Sequence, residues 1–547
     1  MSIASILMIH SLSYFHQSAA ALTDEDYNSY LTQWVTEFLL VVWKELLKID
    51  YTGITALKQM LYLHLPSGPC FSELPDPSHF SGDITSEDIS DLIIGLIARK
   101  EYSVRARAAL FHTAEYFGHE VLKVKRIEGQ IGRVLESIVA DRGGKSKFER
   151  RWKLGLAAIG GGAALALTGG LAAPLLAAGF TAVGSSITAL GPLGVVLGGA
   201  VATTGGLIGG IGVPGAVFLF GTAGSTLTGI KMSKRWGDLE EFELKKIPSA
   251  SNNPDQQLDE CVVPLEITIL VSGWLEEGET FEDQWLKRGE PHTSSTTETK
   301  NSLHHANKPS TIQLTDEYLL KWESTQLCKL GSVLRKLIRN EVARTLASLW
   351  LSAALGASLT TLMWPVAVLN SLSDLDNTWL VVKDRAKLTG EVLASVVSEN
   401  VGTRPVTLIG FSMGAKVVFE CLQVLHARKR FGIVNEAVLL GAPISLSSVS
   451  VSGIADATGL GAGHSEYWRR ARSVVAGRFV NGYSSNDWLL GVLSRYMDWG
   501  IAVAGLSPVE EVGVENVDCG SMVSVHTEWG EKIDLVLQQC GVTRLSA

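Results

Sequence analysis

Residues 410–414, with the sequence Gly-Phe-Ser-Met-Gly, constrain the fold of this chain more than any other stretch. They follow an apolar run at residues 406–409 and precede a helix-patterned segment at 415–428. In such a strand–turn–helix element a serine stands at a sharp turn, and small flanking residues let the strand and the helix approach closely. The pattern therefore predicts that Ser412 projects from the edge of a sheet, with a helix N-terminus beneath it.

A serine hydroxyl needs a base and an orienting acid before it attacks a carbonyl group. Sheet hydrolases with this turn supply both later in the chain, in the order Ser, Asp or Glu, His. Asp487 follows a short predicted strand at residues 479–483, and His526 lies on the last loop before the last predicted helix. Because catalytic groups collect at this edge of a sheet, the order predicts a triad of Ser412, Asp487 and His526.

Other residues compete for the roles of base and acid. His464, in a Gly/Ala-rich loop, stays open as the base, and Asp518, at the end of a predicted strand, stays open as the acid. Asp487 also fits the position of a cap for a helix that begins at Trp488. The remaining histidine and aspartates weighed for these roles are His426, which fits an exposed helix end, Asp456 and Asp498.

Ester cleavage passes through an oxyanion that two backbone N–H groups usually hold. Met413, directly after the serine, is predicted to supply the first N–H group. An apolar run at residues 265–271 predicts an early strand that ends in Ser-Gly-Trp-Leu, so the second donor is the N–H of Trp274 or of Leu275. An ordinary turn at Gly273 fits the same residues.

Apolar runs in the second half predict the strands of one doubly wound, mostly parallel sheet of the α/β class, resembling the α/β-hydrolases. The runs lie at residues 265–271, 379–382, 406–409, 437–440, 479–483 and 514–517. Helix-period patterns predict an N-terminal helical domain at residues 1–150. The sheet domain takes residues 237–547. It includes a polar, flexible insertion at 287–315 and an apolar helical segment at 345–373, which we interpret as a lid or interfacial helix rather than a membrane pass.

Residues 154–230 contain no Asp, Glu, Lys, Arg or His. A membrane-spanning helix needs about 20 apolar residues, so the segment 151–236 is predicted to form a Gly/Ala-rich transmembrane region. A buried glycine-rich hairpin is the alternative. Basic residues such as Arg150 and Lys231 flank the run on both sides, and positive flanks favour the cytosol. The flanks therefore predict an even number of passes, with the sheet domain in the cytosol at an internal membrane.

Composition narrows the classes of partner. A net charge of −9 argues against nucleic acid as a partner. The six cysteines show no paired spacing, so neither a disulfide framework nor a metal site is predicted. Residues 143–146 read Gly-Gly-Lys-Ser but lack the first glycine of a phosphate loop, and no cofactor is predicted.

Four blocks resemble the transmembrane and coiled-coil domain-containing protein 4 family, at residues 408–422, 439–443, 477–491 and 514–518. The resemblance extends over most of residues 85–540. It implies a helical region, a membrane region and an α/β-hydrolase-like domain, and by position it implies Ser412, Asp487 and His526 as the triad. The family pattern has glycine before this histidine and tyrosine three residues after it, where this chain has Val525 and Trp529.

These patterns together predict a membrane-anchored serine hydrolase of the esterase or lipase type. Ser412 attacks an ester carbonyl, His526 takes its proton, and Asp487 orients the imidazole. Attachment to a bilayer favours an acyl lipid as substrate, with a lipidated protein as a variant. The alternative is a non-enzymatic membrane adaptor or trafficking protein on the same scaffold, which Val525 and Trp529 favour, because a fold does not determine a function.

Overall fold

The structure is a computed structural model that describes residues 25–46, 49, 51–55, 59, 86–99, 101–140, 239–247, 265–286, 315–339, 366–399, 404–446, 463–498 and 502–542. These residues build two hydrophobic cores. The smaller core joins N-terminal helices, and the larger one surrounds a sheet. The candidate catalytic residues of the sequence all belong to the part of the chain that carries the larger core.

The larger core is organised by a seven-stranded sheet with the order β1-β3-β2-β4-β5-β6-β7. Its strands are β1 (Phe242–Lys246), β2 (Glu266–Val271), β3 (Thr315–Trp322), β4 (Val406–Phe411), β5 (Val434–Leu440), β6 (Phe479–Tyr483) and β7 (Val514–Asp518). Only β1 runs antiparallel to its neighbour, and the other neighbouring strands pair in parallel. The predicted mixed α/β class with a mostly parallel sheet is confirmed, and the architecture fits an α/β-hydrolase-like fold.

The described helices are α1 (Glu25–Leu40), which continues as a π-helix at Val41–Leu46, α2 (Ser86–Ala98), α3 (Val104–Tyr116), α4 (Val121–Ala140), α5 (Phe281–Leu286), α6 (Ser324–Arg339), α7 (Val366–Glu399), α8 (Met413–Ala427), α9 (Gly463–Val474), α10 (Trp488–Asp498), α11 (Glu528–Glu531) and α12 (Ile533–Gln539). Helices α6, α7, α8 and α9 contact one another in that order. Gly390 of α7 lies so close to α8 that a Cβ there would stand 2.8 Å from the Val417 carbonyl oxygen. These helices therefore form one tightly packed layer.

One predicted strand is wrong, and two strands were missed. Residues 379–382 belong to helix α7, where Trp379 and Val382 are buried while the two residues between them are exposed. That spacing is the period of a helix with one apolar face, which a run of four apolar residues conceals. The missed strands are β1 and β3, and both carry charged side chains that interrupt the apolar pattern.

The predicted membrane region at 151–236 lies outside the described residues. Among the residues that are described, no helix combines the length and the apolar character needed to cross a bilayer. The polar insertion is also outside them, except that residue 315 begins β3. Of the apolar segment at 345–373, only residues 366–373 are described, and they form the first turns of α7.

A buried charge network joins the N-terminal helices to the sheet. Arg107 of α3 donates to Glu128 of α4 over 2.7 Å and to Glu266, the first residue of β2, over 3.0 Å. The same guanidinium donates to Asn435 of β5 over 2.9 Å, and the Lys125 ammonium lies 3.1 Å from Glu266. Buried charges are tolerated only when such partners surround them. The network therefore fixes helices α3 and α4 against the amino-terminal ends of the central strands.

The charge on Glu266 is expected to make the stability of the protein sensitive to acid. Burial alone would raise the pKa of this carboxyl group, but Lys125 and Arg107 outweigh burial and lower the pKa to about 2. The pKa of Glu266 in the folded protein lies below its ordinary value of 4.5. The ionised carboxylate therefore contributes its full stabilisation of the fold above pH 4.5, and this contribution is lost as the pH falls towards 2. Urea unfolding at a series of pH values measures this loss.

The Glu266→Gln variant isolates the contribution of this one carboxyl group. It removes the titrating charge but keeps the shape of the side chain. We therefore expect a lower free energy of unfolding at neutral pH and a smaller loss of this free energy as the pH falls. If the free energy of unfolding falls equally below pH 4.5 in the wild type and in Glu266→Gln, other carboxylates govern the acid sensitivity.

Candidate active site

Ser412 occupies a strained turn between β4 and α8. Its backbone has φ 52° and ψ −124°, a conformation that residues other than glycine rarely adopt. Its N–H donates to the Leu440 carbonyl over 2.8 Å. A Cβ on Gly410 would stand 2.5 Å from the Gly414 carbonyl oxygen, and one on Gly414 would stand 2.2 Å from the carbonyl oxygen of Val271. Both glycines are therefore required by close backbone contacts, as expected for a nucleophile elbow.

The three residues of the predicted triad form one chain of hydrogen bonds. Ser412 Oγ lies 2.7 Å from His526 Nε2, and His526 Nδ1 lies 2.7 Å from Asp487 Oδ2. His526 stands between β7 and α11, and Asp487 stands between β6 and α10. None of the three side chains reaches the surface. The arrangement can pass a proton from the hydroxyl to the imidazole while the carboxylate holds the ring.

Asp487 meets two of the roles considered for it at once. Its Oδ2 atom faces His526, and its Oδ1 atom accepts the N–H of Leu490 in the first turn of α10 over 3.0 Å. The helix-cap interpretation and the acid interpretation are therefore compatible. A carboxylate that is fixed by a helix end offers a defined direction to the imidazole.

Two of the competing residues, His426 and Asp518, have hydrogen-bond partners outside the triad. His426 Nδ1 is 2.9 Å from the hydroxyl of Ser473, so this side chain has a partner on α9. His464 lies in helix α9 rather than in the predicted loop, which corrects that expectation. Asp518 is exposed, and it accepts the N–H of Gly520 in its own turn over 2.8 Å. Asp498 ends α10, and residue 456 is outside the described part.

The segment after β2 lies directly against the elbow. A Cβ on Gly273 would stand 2.5 Å from Ser412 Cβ and 2.8 Å from the backbone nitrogen of Met413. Only glycine fits at this distance, so the turn at Gly273 also serves the approach of two backbones. This contact places Gly273, the residue before Trp274, directly against the backbone nitrogen of Met413.

The two alternatives for the second oxyanion donor differ in their hydrogen bonds. The N–H of Leu275 donates to the Leu327 carbonyl over 3.2 Å, so it is already used. The N–H groups of Trp274 and Met413 have no hydrogen-bond acceptor among the described residues. The side chain of Trp274 is buried edge-on against Phe411. The geometry thus favours Trp274 over Leu275 as the partner of Met413.

Val525, which stands where the resembled family has glycine, lies in a loop that a carboxylate holds by hydrogen bonds. The N–H of Val525 donates to the Glu528 carboxylate over 3.1 Å, and the N–H of Ser524 donates to the same oxygen over 2.6 Å. Burial would raise the pKa of Glu528, but Lys532 and these N–H groups outweigh it and lower the pKa. The loop that carries the histidine is thereby held by an ionised carboxylate.

Trp529 contacts the candidate acid directly. Its indole Nε1–H donates to Asp487 Oδ2 over 2.9 Å. This contact was not predicted from the sequence, although Trp529 stands where the resembled family has tyrosine. Tryptophan and tyrosine both combine a large ring with one hydrogen-bond donor, which was the signal available in the sequence.

The sequence is similar to proteins that are named as membrane proteins and to a protein that is named as a probable lipase. The chain is 33% identical over 455 residues to the "Transmembrane and coiled-coil domain-containing protein STS1" of Oryza sativa subsp. japonica, covering 80% of this chain and 61% of that protein. It is 31% identical over 347 residues to an uncharacterized membrane protein of Caenorhabditis elegans, covering 62% and 48%. It is 30% identical over 352 residues to the "Probable lipase MIL1" of Saccharomyces cerevisiae, covering 61% and 28%.

The chain therefore spans less than two thirds of the length of each of these relatives. No solved structure matches it. The model of the family described as "Protein of unknown function (DUF726)" matches residues 146–543, which include Ser412, Asp487 and His526. Because this match covers more than half of the sequence, the chain belongs to the DUF726 family.

Proposed function

We propose that this protein is a membrane-anchored serine hydrolase that cleaves acyl esters. The observation that carries the proposal is the buried chain of hydrogen bonds from Ser412 through His526 to Asp487. The strained backbone of the serine supports it, because such strain is kept at sites where a side chain must be presented in one direction. A hydroxyl, an imidazole and a carboxylate in this order are the parts that acyl transfer requires.

The reaction begins when Ser412 Oγ bonds to the carbonyl carbon of the ester and its proton passes to His526 Nε2. The negative charge that develops on the carbonyl oxygen is held by the N–H groups of Met413 and Trp274. The C–O bond to the alcohol then breaks, and the alcohol leaves with the proton from His526. Water next attacks the acyl-serine, gives its proton to His526, and releases the acid while the serine recovers its hydroxyl group.

Asp487 acts through the histidine. Its carboxylate accepts the Nδ1–H, which keeps the Nε2 lone pair directed at the serine, and its negative charge stabilises the imidazolium that forms during the reaction. Because Asp487 and His526 are buried, this charge interaction is screened less than it would be at the surface. The acid therefore serves both orientation and electrostatic stabilisation.

Acyl lipids are the substrate class that we favour, with lipidated proteins as a variant. The uncharged run at residues 154–230 supports attachment to a bilayer, in which acyl esters are concentrated. The lipase name of the yeast relative agrees with this class, and the rice relative's name agrees with the resemblance to the transmembrane and coiled-coil domain-containing protein 4 family. We propose an even number of passes through an internal membrane, with the hydrolase domain in the cytosol.

A fluorophosphonate probe tests the proposal on the full chain in detergent. The reagent reacts with a serine that a neighbouring base activates, so we expect one adduct, located by mass spectrometry on the peptide that contains Ser412. Protein unfolded in urea serves as the control and is expected to give no adduct. A folded sample that stays unlabelled would favour the membrane adaptor instead.

A further inference from the structure

We infer that Trp529 is a positioning residue that sets the pH range in which His526 can act as the base. This inference rests on the proposed function of Ser412, His526 and Asp487. Trp529 touches none of the reacting atoms, and it acts on the histidine through the carboxylate of Asp487.

The carboxylate of Asp487 is held by three donors. The indole Nε1–H of Trp529 donates to Oδ2 over 2.9 Å, and the same oxygen lies 2.7 Å from His526 Nδ1. The other oxygen accepts the N–H of Leu490 over 3.0 Å. Asp487, His526 and Trp529 are each fully buried. A charge in such a place depends on these hydrogen bonds, because water cannot replace them.

The hydrogen bond of Trp529 is not a general consequence of burying an indole in this protein. Two other buried tryptophans, Trp274 and Trp468, have no hydrogen-bond acceptor for Nε1–H among the described residues, whereas Trp285 and Trp322 donate to Ser272. For Trp529, Gly441, with φ 54°, leaves space for the ring. A Cβ on Gly441 would stand 2.5 Å from the indole nitrogen. The absence of a side chain at Gly441 therefore allows the indole nitrogen of Trp529 to lie within hydrogen-bond distance of Asp487.

The effect on the histidine has a definite sign. The indole N–H stabilises negative charge on Oδ2, the oxygen that faces the imidazole. When that donor is lost, the buried Asp487–His526 pair carries a less stabilised negative charge and binds a proton more readily. His526 is then protonated, and cannot accept the serine proton, up to a higher pH.

The neighbouring charged or titratable groups have partners outside the triad. They are Glu528 with Lys532, Glu531 and Glu276 with Arg335, Asp518 with its own turn, and Cys519 with Cys540. Asp487 is therefore the titratable group on which the indole acts directly, and His526 is affected through Asp487.

The test is the pH dependence of fluorophosphonate labelling in the Trp529→Phe variant of the full chain. Labelling requires neutral His526, so its rate falls in acid with a measurable midpoint. We expect this midpoint to move upward by about one pH unit in the variant, as the loss of a hydrogen bond to a charged group implies. Trp468→Phe is the matched control, because it also removes a buried indole but breaks no hydrogen bond of Nε1–H among the described residues. The midpoint of labelling in this control is expected to equal that of the wild type.

A midpoint that is unchanged in Trp529→Phe, or that moves equally in Trp468→Phe, overturns the inference, because a purely structural role would act through packing alone. If thermal unfolding of Trp529→Phe is not cooperative, this variant is not properly folded. The midpoint of labelling is then measured in Gly441→Ala instead. This variant keeps the indole but places a methyl group against its nitrogen. The same upward movement is expected, and an unchanged midpoint overturns the inference.

Failure of the proposed function gives a different result. In that case the wild type is unlabelled at every pH, and the titration of the His526 ring is followed by NMR in histidine-labelled protein instead. The ring signal is assigned by its absence in His526→Gln. An upward movement of its midpoint in Trp529→Phe supports the role of the indole without any reaction, and an unmoved midpoint refutes it.

Discussion

Replacing Ser412 with alanine is expected, on the proposed function, to lower the rate of ester hydrolysis by about 10³-fold or more, because it removes the proposed attacking oxygen. The fold should survive, since the N–H that donates to Leu440 remains and the side chain is only shortened. Initial rates on short-chain and long-chain esters, together with thermal unfolding, measure both effects. The exposed Ser332→Ala on α6 is the matched control and should hydrolyse esters at the wild-type rate.

Combining substitutions tests whether the three residues act as one unit. His526→Ala should cost about as much as Ser412→Ala, and the double variant should lose little more, because each single change already disables the proton transfer. Asp487→Asn should also be severe, since an amide favours the wrong imidazole tautomer. Ester hydrolysis that survives in Ser412→Ala at the wild-type rate would remove this serine from the reaction.

The second large effect is expected at the contact between the N-terminal helices and the sheet. Arg107→Met should lower the free energy of unfolding by about 3–5 kcal/mol, because it removes the salt-bridge partner of the buried Glu128 and one of the two cationic partners of the buried Glu266. Urea unfolding followed by tryptophan fluorescence measures the change. The control is Lys245→Met, which removes a half-exposed partner of Glu282 and should cost less than about 1 kcal/mol.

A second variant separates charge from packing at this contact. Arg107→Met combined with Glu128→Gln and Glu266→Gln removes the uncompensated charges, so it should recover part of the stability that the single change loses. Equal stability of Arg107→Met and Lys245→Met would show that the network contributes no more than a surface ion pair.

The elbow was predictable because strand, turn and helix are adjacent in the chain, so local patterns specify it. The positions of Asp487 and His526 relative to the sheet edge were predictable for a related reason, since each follows a recognisable strand. Residues 379–382 were assigned wrongly because four apolar residues fit a strand and a helix equally well. Only the burial of Trp379 and Val382 in α7 separates the two.

Contacts between distant segments were beyond the reach of pattern reasoning. The choice between Trp274 and Leu275 depends on a carbonyl at Leu327, on a helix that follows a strand missed in the sequence. The hydrogen bond of Trp529 joins residues 42 positions apart, and its partner is fixed only when both loops have folded. The membrane region, whose pattern was the most distinct, lies outside the described residues and stays a prediction.

The order of the site residues along the chain has a consequence during synthesis. The hydroxyl of Ser412 is 114 positions ahead of the imidazole that lies 2.7 Å from it. A ribosome therefore completes the central strands long before the base emerges, and a nascent chain that has reached only the elbow has no means to deprotonate its serine. On the proposed function, the polypeptide therefore becomes able to cleave esters only after the loop that carries His526 has joined the sheet.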